Sequence, residues 1–483
     1  MNSTLFSIFG NCKNSRRPKV PFPTNAVRPE FRFRFAEDRT FSRESTPKPF
    51  LISDFRSLAF DATFESLAQQ AGRPLSQLEA DLAWVATAVY LADRSAPRYP
   101  YGTNGLSFWR RRIHLILPVG EGEIWEKASP ALRETLEYLT EDDWTFEFVS
   151  GRRPFMEESQ QSFRELSPPP IAWTALFSGG LDSLAGAVDW LQSQEGIGLL
   201  VSGQTHNRIA FGQRSQVSEL RQHFPQQLEH VGISYGFPDK SGLNGFESSQ
   251  RTRAFIHTAL GSLAALMAGN EKLHLFENGF GALNLPCDST QFGSQNSRGT
   301  HPVFLQRMAG LVSHLFGRPF TIVNPFNFMT KGEMLSNPTV QIYGEILRKS
   351  FSCDRYPNYP HKASQCGSCS SCLIRRLSFK VGNIADDPAS YSRDLLKSQS
   401  PLRESELIAV TKLTIQAKTM ADALRLQEPW SALCAIWPDL FRAEIELENS
   451  SFKSSTIRLL RKHSAEWHEF YPEFQFPGNT LAA

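Results

Sequence analysis

Two short stretches of this chain place chemistry-bearing residues at useful spacings. In Ser178-Gly179-Gly180-Leu181-Asp182-Ser183, two hydroxyls and a carboxylate surround a pair of glycines. Glycines let main-chain amides approach a ligand closely, and the hydroxyls add further donors, a combination that suits an anion. The second stretch is Cys353 followed by Cys366-Gly367-Ser368-Cys369-Ser370-Ser371-Cys372. Four thiolates satisfy a tetrahedral zinc ion, and a CxxCxxC run can wrap three of them around one ion. The same run also occurs around iron–sulfur clusters, so the spacing alone leaves both metals open.

The anion site needs a strand before it and a helix after it. Residues 173–177 form an apolar run that reads as a buried strand. Leu184, Ala187, Val188 and Leu191 follow Ser183 at helical spacing. Strand, small-residue turn and helix N-terminus together aim unpaired amides at a ligand, and a phosphate chain is the ligand they suit. The commoner phosphate loop is excluded, because no GxxxxGK[ST] occurs. Strands are predicted at 198–202, 231–235, 273–277 and 320–323, and helices at 215–224, 252–268 and 303–316. This alternation predicts an α/β fold, a doubly wound and mostly parallel sheet. Ligands bind beyond the carboxyl ends of such strands, where the glycine loops fall.

Flanking regions are expected on both sides. Residues 1–29 read as an irregular lead-in. Phe31-Arg32-Phe33-Arg34-Phe35 alternates with period two and is read as a half-buried strand rather than a nucleic-acid stripe. A helix at 75–91, a strand at 113–119, a helix at 124–139 and a strand entered at 142–148 complete an α+β N-terminal domain. Its aromatic residues are read as core, with a partner-docking surface as the sharper alternative. Ser167-Pro168-Pro169-Pro170 marks a stiff junction. After Pro388 the chain turns helical over 407–426 and 456–470, with Pro429-Trp430 and Trp437-Pro438 interrupting. Three domains are therefore expected: 1–167, 168–390 and a small helical region at 391–483.

Composition sets broad limits. The 483 residues are 41% hydrophobic and 21% charged, enough to bury a substantial core. A formal net charge of +2 gives no argument for nucleic-acid or membrane binding. No continuous apolar span occurs, and the basic residues of the N-terminus follow its apolar patch, the reverse of a secretory signal. A cytoplasmic protein without membrane contact is expected. Four of the seven cysteines cluster, which points to a metal rather than to disulfides.

Ser178 to Ser183 resembles the SGG-x-DS signature of the PP-loop ATP pyrophosphatases. The pattern over about 173–386 resembles the QueC family of 7-cyano-7-deazaguanine synthases, and most of all the QueC-like proteins of bacterial anti-phage defence, the QatC type. The resemblance implies that Ser178, Gly179, Gly180, Leu181, Asp182 and Ser183 hold ATP, which is cleaved between its α and β phosphates to activate a carboxylate as an acyl-adenylate. Ser178, Asp182 and Ser183 are then expected in the chemistry, Asp182 through Mg²⁺ or by orienting the loop. Thr330-Lys331-Gly332-Glu333 is similar to the family's T-K-x-E segment and makes Lys331 the candidate that neutralises phosphate charge. Arg251 and Arg253 open a helix where arginines do not help the helix itself, and could reach a phosphate or a substrate carboxylate. Gly279 and Phe280 fall where the family places its substrate loop. The family likeness, with Arg375 and Arg376 downstream, selects Zn²⁺ for Cys353, Cys366, Cys369 and Cys372 as a structural site, with an insertion around 356–360.

The implied activity is ATP-dependent adenylation of a 7-carboxy-7-deazaguanine-like acid followed by amide formation, with an amine of a partner protein of the same defence system as acceptor. Ammonia as acceptor, giving the nitrile synthase, is the first alternative. A tRNA-modifying enzyme and a non-catalytic nucleotide-binding subunit are the others, the former disfavoured by the near-neutral charge.

Overall fold

The computed structural model describes residues 30–35, 41–43, 50–52, 68, 72–98, 110–151, 170–235, 247, 249–287, 297–357, 365–396 and 403–473. The lead-in at 1–29, most of the proline junction and most of the insertion after Pro357 lie outside them. The chain begins with β1 (Glu30–Phe35), β2 (Phe41–Arg43), β3 (Phe50–Ile52), α1 (Gln77–Ser95), β4 (Arg112–Val119), α2 (Gly122–Thr140) and β5 (Asp143–Ser150). There follow β6 (Ile171–Leu176), α3 (Leu181–Ser193), β7 (Ile197–Gln204), α4 (Asn207–His223), β8 (Leu228–Ser234), α5 (Arg253–Met267) and β9 (Lys272–Leu275). Then come α6 (Gly279–Leu283), α7 (Pro302–Phe316), β10 (Thr321–Val323), α8 (Lys331–Ser336), α9 (Pro338–Gln341), α10 (Gly344–Arg348) and α11 (Ser370–Val381). The chain closes with α12 (Glu404–Leu424), α13 (Pro429–Ile436), α14 (Pro438–Leu447) and α15 (Phe452–Phe470).

The second sheet has the order β10-β9-β6-β7-β8, with all pairings parallel. Taken from β6 this is 3-2-1-4-5, the doubly wound order expected of the alternation, and β6 and β9 flank the point where connections diverge. Its strands are covered on both faces. Leu199 and Val201 enter one apolar cluster with α5 and α7, while Leu200 enters another with α3.

The N-terminal sheet, β3-β2-β1-β4-β5, departs from the α+β expectation. β1, β4 and β5 are parallel, and α2 crosses between β4 and β5. Trp125, Leu132, Leu136 and Leu139 fold α2 back onto the sheet as a parallel β-α-β unit, while β1–β2 and β2–β3 pair antiparallel, so the sheet is mixed. The alternation of β1 is as read: Phe31, Phe33 and Phe35 point inward and the arginines outward.

Helix α1 differs from a one-sided amphipathic helix, because every residue from Glu79 to Ser95 is buried. It packs against β4 on one side and α5 on another, and alanines 80, 83, 88 and 92 permit the close approach. Both of its buried aspartates find partners in neighbouring segments. Asp81, for example, accepts from the amides of Gly120 and Glu121. One apolar cluster consequently runs from Phe31 through Trp84 to Phe255 and Leu311, shared by both sheets.

At the C-terminus, Pro429 and Pro438 start α13 and α14 instead of merely interrupting. A first-turn proline loses no helical hydrogen bond there. Among the described residues, no helix is long and apolar enough to cross a membrane.

Trp84 meets Phe35 edge-on at 5.6 Å and joins α1 to β1. Truncating it by Trp84→Ala should cost about 3–5 kcal/mol in urea unfolding, the range for emptying a buried aromatic site.

Candidate active site and metal centre

The turn after β6 is held by its own hydroxyls. Ser183 Oγ accepts from the Gly179 amide at 3.1 Å, and Ser178 Oγ accepts from the Gly180 amide at 3.1 Å. The two hydroxyls lie 3.0 Å apart, and the Leu181 amide donates to Ser352 Oγ at 3.1 Å. Three successive amides therefore converge on rotatable hydroxyls, which an incoming phosphate can displace or join. Gly179 has φ +80°, and a Cβ there would fall 2.3 Å from the Phe351 ring, so no other residue fits. From α4, Gln213 and Gln216 donate to the carbonyls of Ser178 and Gly179, at 3.1 Å each.

Beside the turn, Asp182 is buried in the first turn of α3 and pairs with Lys331 Nζ at 2.9 Å. Lys331 opens α8 behind a capping box in which Thr330 and Glu333 satisfy each other's amides. Asn278 Nδ2 donates to both Asp182 (3.3 Å) and Glu277 (2.9 Å). Burial pushes Glu277 well above its ordinary pKa of 4.5, and the neighbouring Asp182 adds to this beyond what Lys331 offsets. Burial works against the Lys331 ammonium as well, but the two carboxyl groups outweigh it and raise its pKa above 10.5. The arrangement is an Asp182–Lys331 ion pair with the Glu277 carboxyl alongside, hydrogen-bonded by Asn278.

A cleft of about 510 Å³ opens over the turn. Ser178, Gly180, Ser183, Glu277, Arg251 and Arg253 all line it, so the sequence-predicted turn and arginines come together. Gly179, Leu181, Asp182 and Lys331 adjoin its lining residues in the turn and its ion pair. Gly279 and Phe280 are elsewhere: Phe280 stacks on His463 of α15 at 3.5 Å, within the core. Burial lowers the His463 pKa to about 3, so the stack is between uncharged rings. Glu277 and Asn278 were not singled out as site residues by sequence reasoning. The available signal was a polar pair at the carboxyl end of the strand that neighbours β6.

Cys353, Cys366, Cys369 and Cys372 place all four Sγ atoms within 4.8 Å of one another. Cys366 and Cys372 are 3.8 Å apart, and Cys353 and Cys369 are 4.0 Å apart. Tetrahedral zinc with bonds of ~2.3 Å requires about 3.8 Å between sulfurs, so the donor set fits that ion. The amides of Cys366 and Ser368 donate to Cys353 Sγ and Cys366 Sγ, as thiolates would require. Gly367 has φ +81°, and a Cβ would meet the Arg393 carbonyl at 1.9 Å. Arg375 and Arg376 are buried structural groups, the first on Ser350 Oγ and the Arg348 carbonyl, the second on Asp386 and Asp394. The segment leading into Cys353 touches the turn directly. The Phe351 amide donates to the Gly179 carbonyl at 3.1 Å, next to the Ser352 contact.

Helix α15 grips α8 from the other side. Thr330 Oγ1 donates to Glu466 at 2.8 Å, and Arg458 pairs with Glu333 at 2.5 Å. Burial pushes the Glu466 carboxyl up to about 7.

Comparison with known proteins places a similarity on this same region. Residues 299–382 match the family model described as "Queuosine biosynthesis protein QueC". The chain is also 24% identical, over 237 residues, to the 7-cyano-7-deazaguanine synthase of Methanococcus maripaludis; the match spans 45% of this chain and 97% of that protein. The chain thus carries a QueC-like region, and more than half of it lies outside that match.

Two outcomes follow from the geometry. Elemental analysis should find a single zinc ion per chain, and stripping it with a chelator should speed proteolytic cleavage around 351–357. Because the Glu466 pKa is raised on folding, the folded state binds its proton more tightly, and stability falls as pH rises from 4.5 to about 7. Glu466→Gln should therefore stabilise the protein above pH 7, by up to roughly 3 kcal/mol, with the gain vanishing below pH 4.5 in thermal melts.

Proposed function

We propose that the chain binds ATP over the β6 turn and adenylates the carboxylate of a 7-deazaguanine acid, 7-carboxy-7-deazaguanine or a near relative. The observation that carries this reading is the hydroxyl- and amide-lined glycine turn, open to the same cleft as Arg251 and Arg253 and backed by a charged lysine.

The carboxylate oxygen attacks the α-phosphorus, the bond to the β-phosphate oxygen breaks, and pyrophosphate leaves. An amine then attacks the acyl carbon, AMP departs, and the nitrogen loses a proton to give an amide. The chain's part is electrostatic. Amides of Gly179, Gly180 and Leu181, with the hydroxyls of Ser178 and Ser183, hold the leaving diphosphate. Lys331 supplies fixed positive potential from behind, and Asp182 orients it. Arg251 and Arg253 offer guanidinium forks to the acid or to the phosphates. Mg²⁺ supplies charge neutralisation on the phosphates when it is bound. As arranged, the residues do not build a site for it, since Asp182 is taken by Lys331 and Glu277 is hydrogen-bonded by Asn278 in a setting that disfavours its charge. A zinc ion on the four cysteines has no open position, which supports a structural role.

For the acceptor we favour an amine of a partner protein within an anti-phage defence system, because the large N-terminal region lies beyond what a small-molecule amine requires. Ammonia, leading on to a nitrile, shares the same first half-reaction.

Incubation with ATP, Mg²⁺ and 7-carboxy-7-deazaguanine should give substrate-dependent AMP and pyrophosphate. Asp182→Ala and Lys331→Ala should each lower the rate by about 100-fold or more, the scale for losing a preorganised charge. ADP as product, or no turnover with ammonia or with a candidate protein acceptor, would overturn the reading.

A further inference from the structure

The cleft wall that carries Arg251 and Arg253 is not supported by its own sheet alone. Its supports come from α1 and the residues just after it. The carboxylate of Asp93, fully buried, accepts from the Thr252 amide at 3.0 Å and from the Thr252 hydroxyl at 2.9 Å. Thr252 is the N-cap of α5, yet its side chain makes no capping bond of its own. Asp93 of the N-terminal region therefore caps that helix from outside, with the negative charge that a helix N-terminus favours.

Glu247 forms the second support. Its carboxylate accepts from the Arg98 amide (2.7 Å) and the Ser249 amide (2.7 Å), while its own amide donates to the Arg94 carbonyl at 2.9 Å. Arg94 donates in turn to the Glu247 carbonyl. The Tyr90 hydroxyl donates to the Gln250 side chain at 3.4 Å. Between these supports Gln250 adopts φ +49°, a left-handed conformation that a residue with a Cβ holds only under constraint. Asp93 itself is fixed by Arg111 at 2.6 Å, and Arg111 and Arg98 are fixed by Asp142, at 2.6 and 2.5 Å.

We infer that α1 is a positioning device for the active-site cleft: Asp93 and Glu247 hold residues 249–253 in a strained turn that presents Arg251 and Arg253 to an anionic ligand. This rests on the proposed reading of the cleft as the ligand site. Asp93 touches no ligand and acts through Thr252.

Thr252→Val removes the hydroxyl bond to Asp93 while keeping shape and amide, and Thr252→Ser keeps the hydroxyl. Calorimetric titration of the full chain with ATP and with 7-carboxy-7-deazaguanine should show at least one affinity weakened roughly five- to tenfold in Thr252→Val, the fold-change one hydrogen bond carries. Thr252→Ser should restore it, and Tyr90→Phe should weaken the same ligand. Unchanged affinities for both ligands in Thr252→Val, whatever its melting temperature, would overturn the inference. Absence of AMP from a wild-type chain that still binds both ligands would instead count only against the adenylation reading. Should neither ligand bind the wild type, inorganic pyrophosphate serves as the anionic probe, and its failure to bind would overturn both.

Discussion

A carboxylate buried beside a phosphate site repels the ligand the site is built for, unless something opposite in charge is buried with it. On the proposed reading of the cleft, the constraint on Asp182 is of this kind. Its charge is matched by Lys331 at 2.9 Å, and the charged form of the second carboxyl group, Glu277, is disfavoured by burial and by Asp182 itself. Removing either charged partner strands the other in a dry environment, which is why such pairs are costly to break even where they add little net stability. The rest of the site is arranged to keep this group closed. The capping box of α8 sets the lysine, Asn278 bridges the two carboxyl groups, and the doubly wound strand order brings β6 and β9 side by side.

Three separate parts of the chain then converge on the cleft. Helix α1 supports the arginine-bearing wall, the cysteine-rich segment lies against the glycine turn, and α15 holds the helix that begins with Lys331. Each support is a polar contact between segments distant in the chain, where geometry is fixed more tightly than apolar packing alone would fix it. The shared core from Phe31 to Leu311 makes the N-terminal sheet part of the same packed body as the cleft.

Much of this was legible in the sequence because it is local. Strand-turn-helix around Ser178, the alternation of later elements and the cysteine spacing are all short-range patterns, and the expected elements formed near the places indicated, although α4 begins at Asn207 rather than near 215 and β9 ends at Leu275 rather than 277. What could not be read depends on contacts between distant segments. Asp182 and Lys331 open different helices, and no periodicity shows that the two pair. Nor does any local pattern link Thr252 to Asp93, 159 positions away. The total burial of α1 was invisible because its second face is covered by α5, and alanine-rich sequence does not announce a neighbour. Phe280 was placed in a substrate loop on its position after β9, yet α15, contributed from the far end of the chain, takes its ring.

The contact between the cysteine-rich segment and the glycine turn has a thermodynamic side. Ser352 and Phe351, which bond to the turn at Leu181 and Gly179, immediately precede Cys353 of the four-cysteine cluster. On the proposed reading, an ion that orders this segment would lower the entropy cost of forming the nucleotide's binding surface. Linkage would make the effect mutual: by whatever factor a bound metal tightened nucleotide binding, the nucleotide would tighten retention of the metal. The cysteine cluster, without a catalytic duty in that reading, would act as an effector of the cleft.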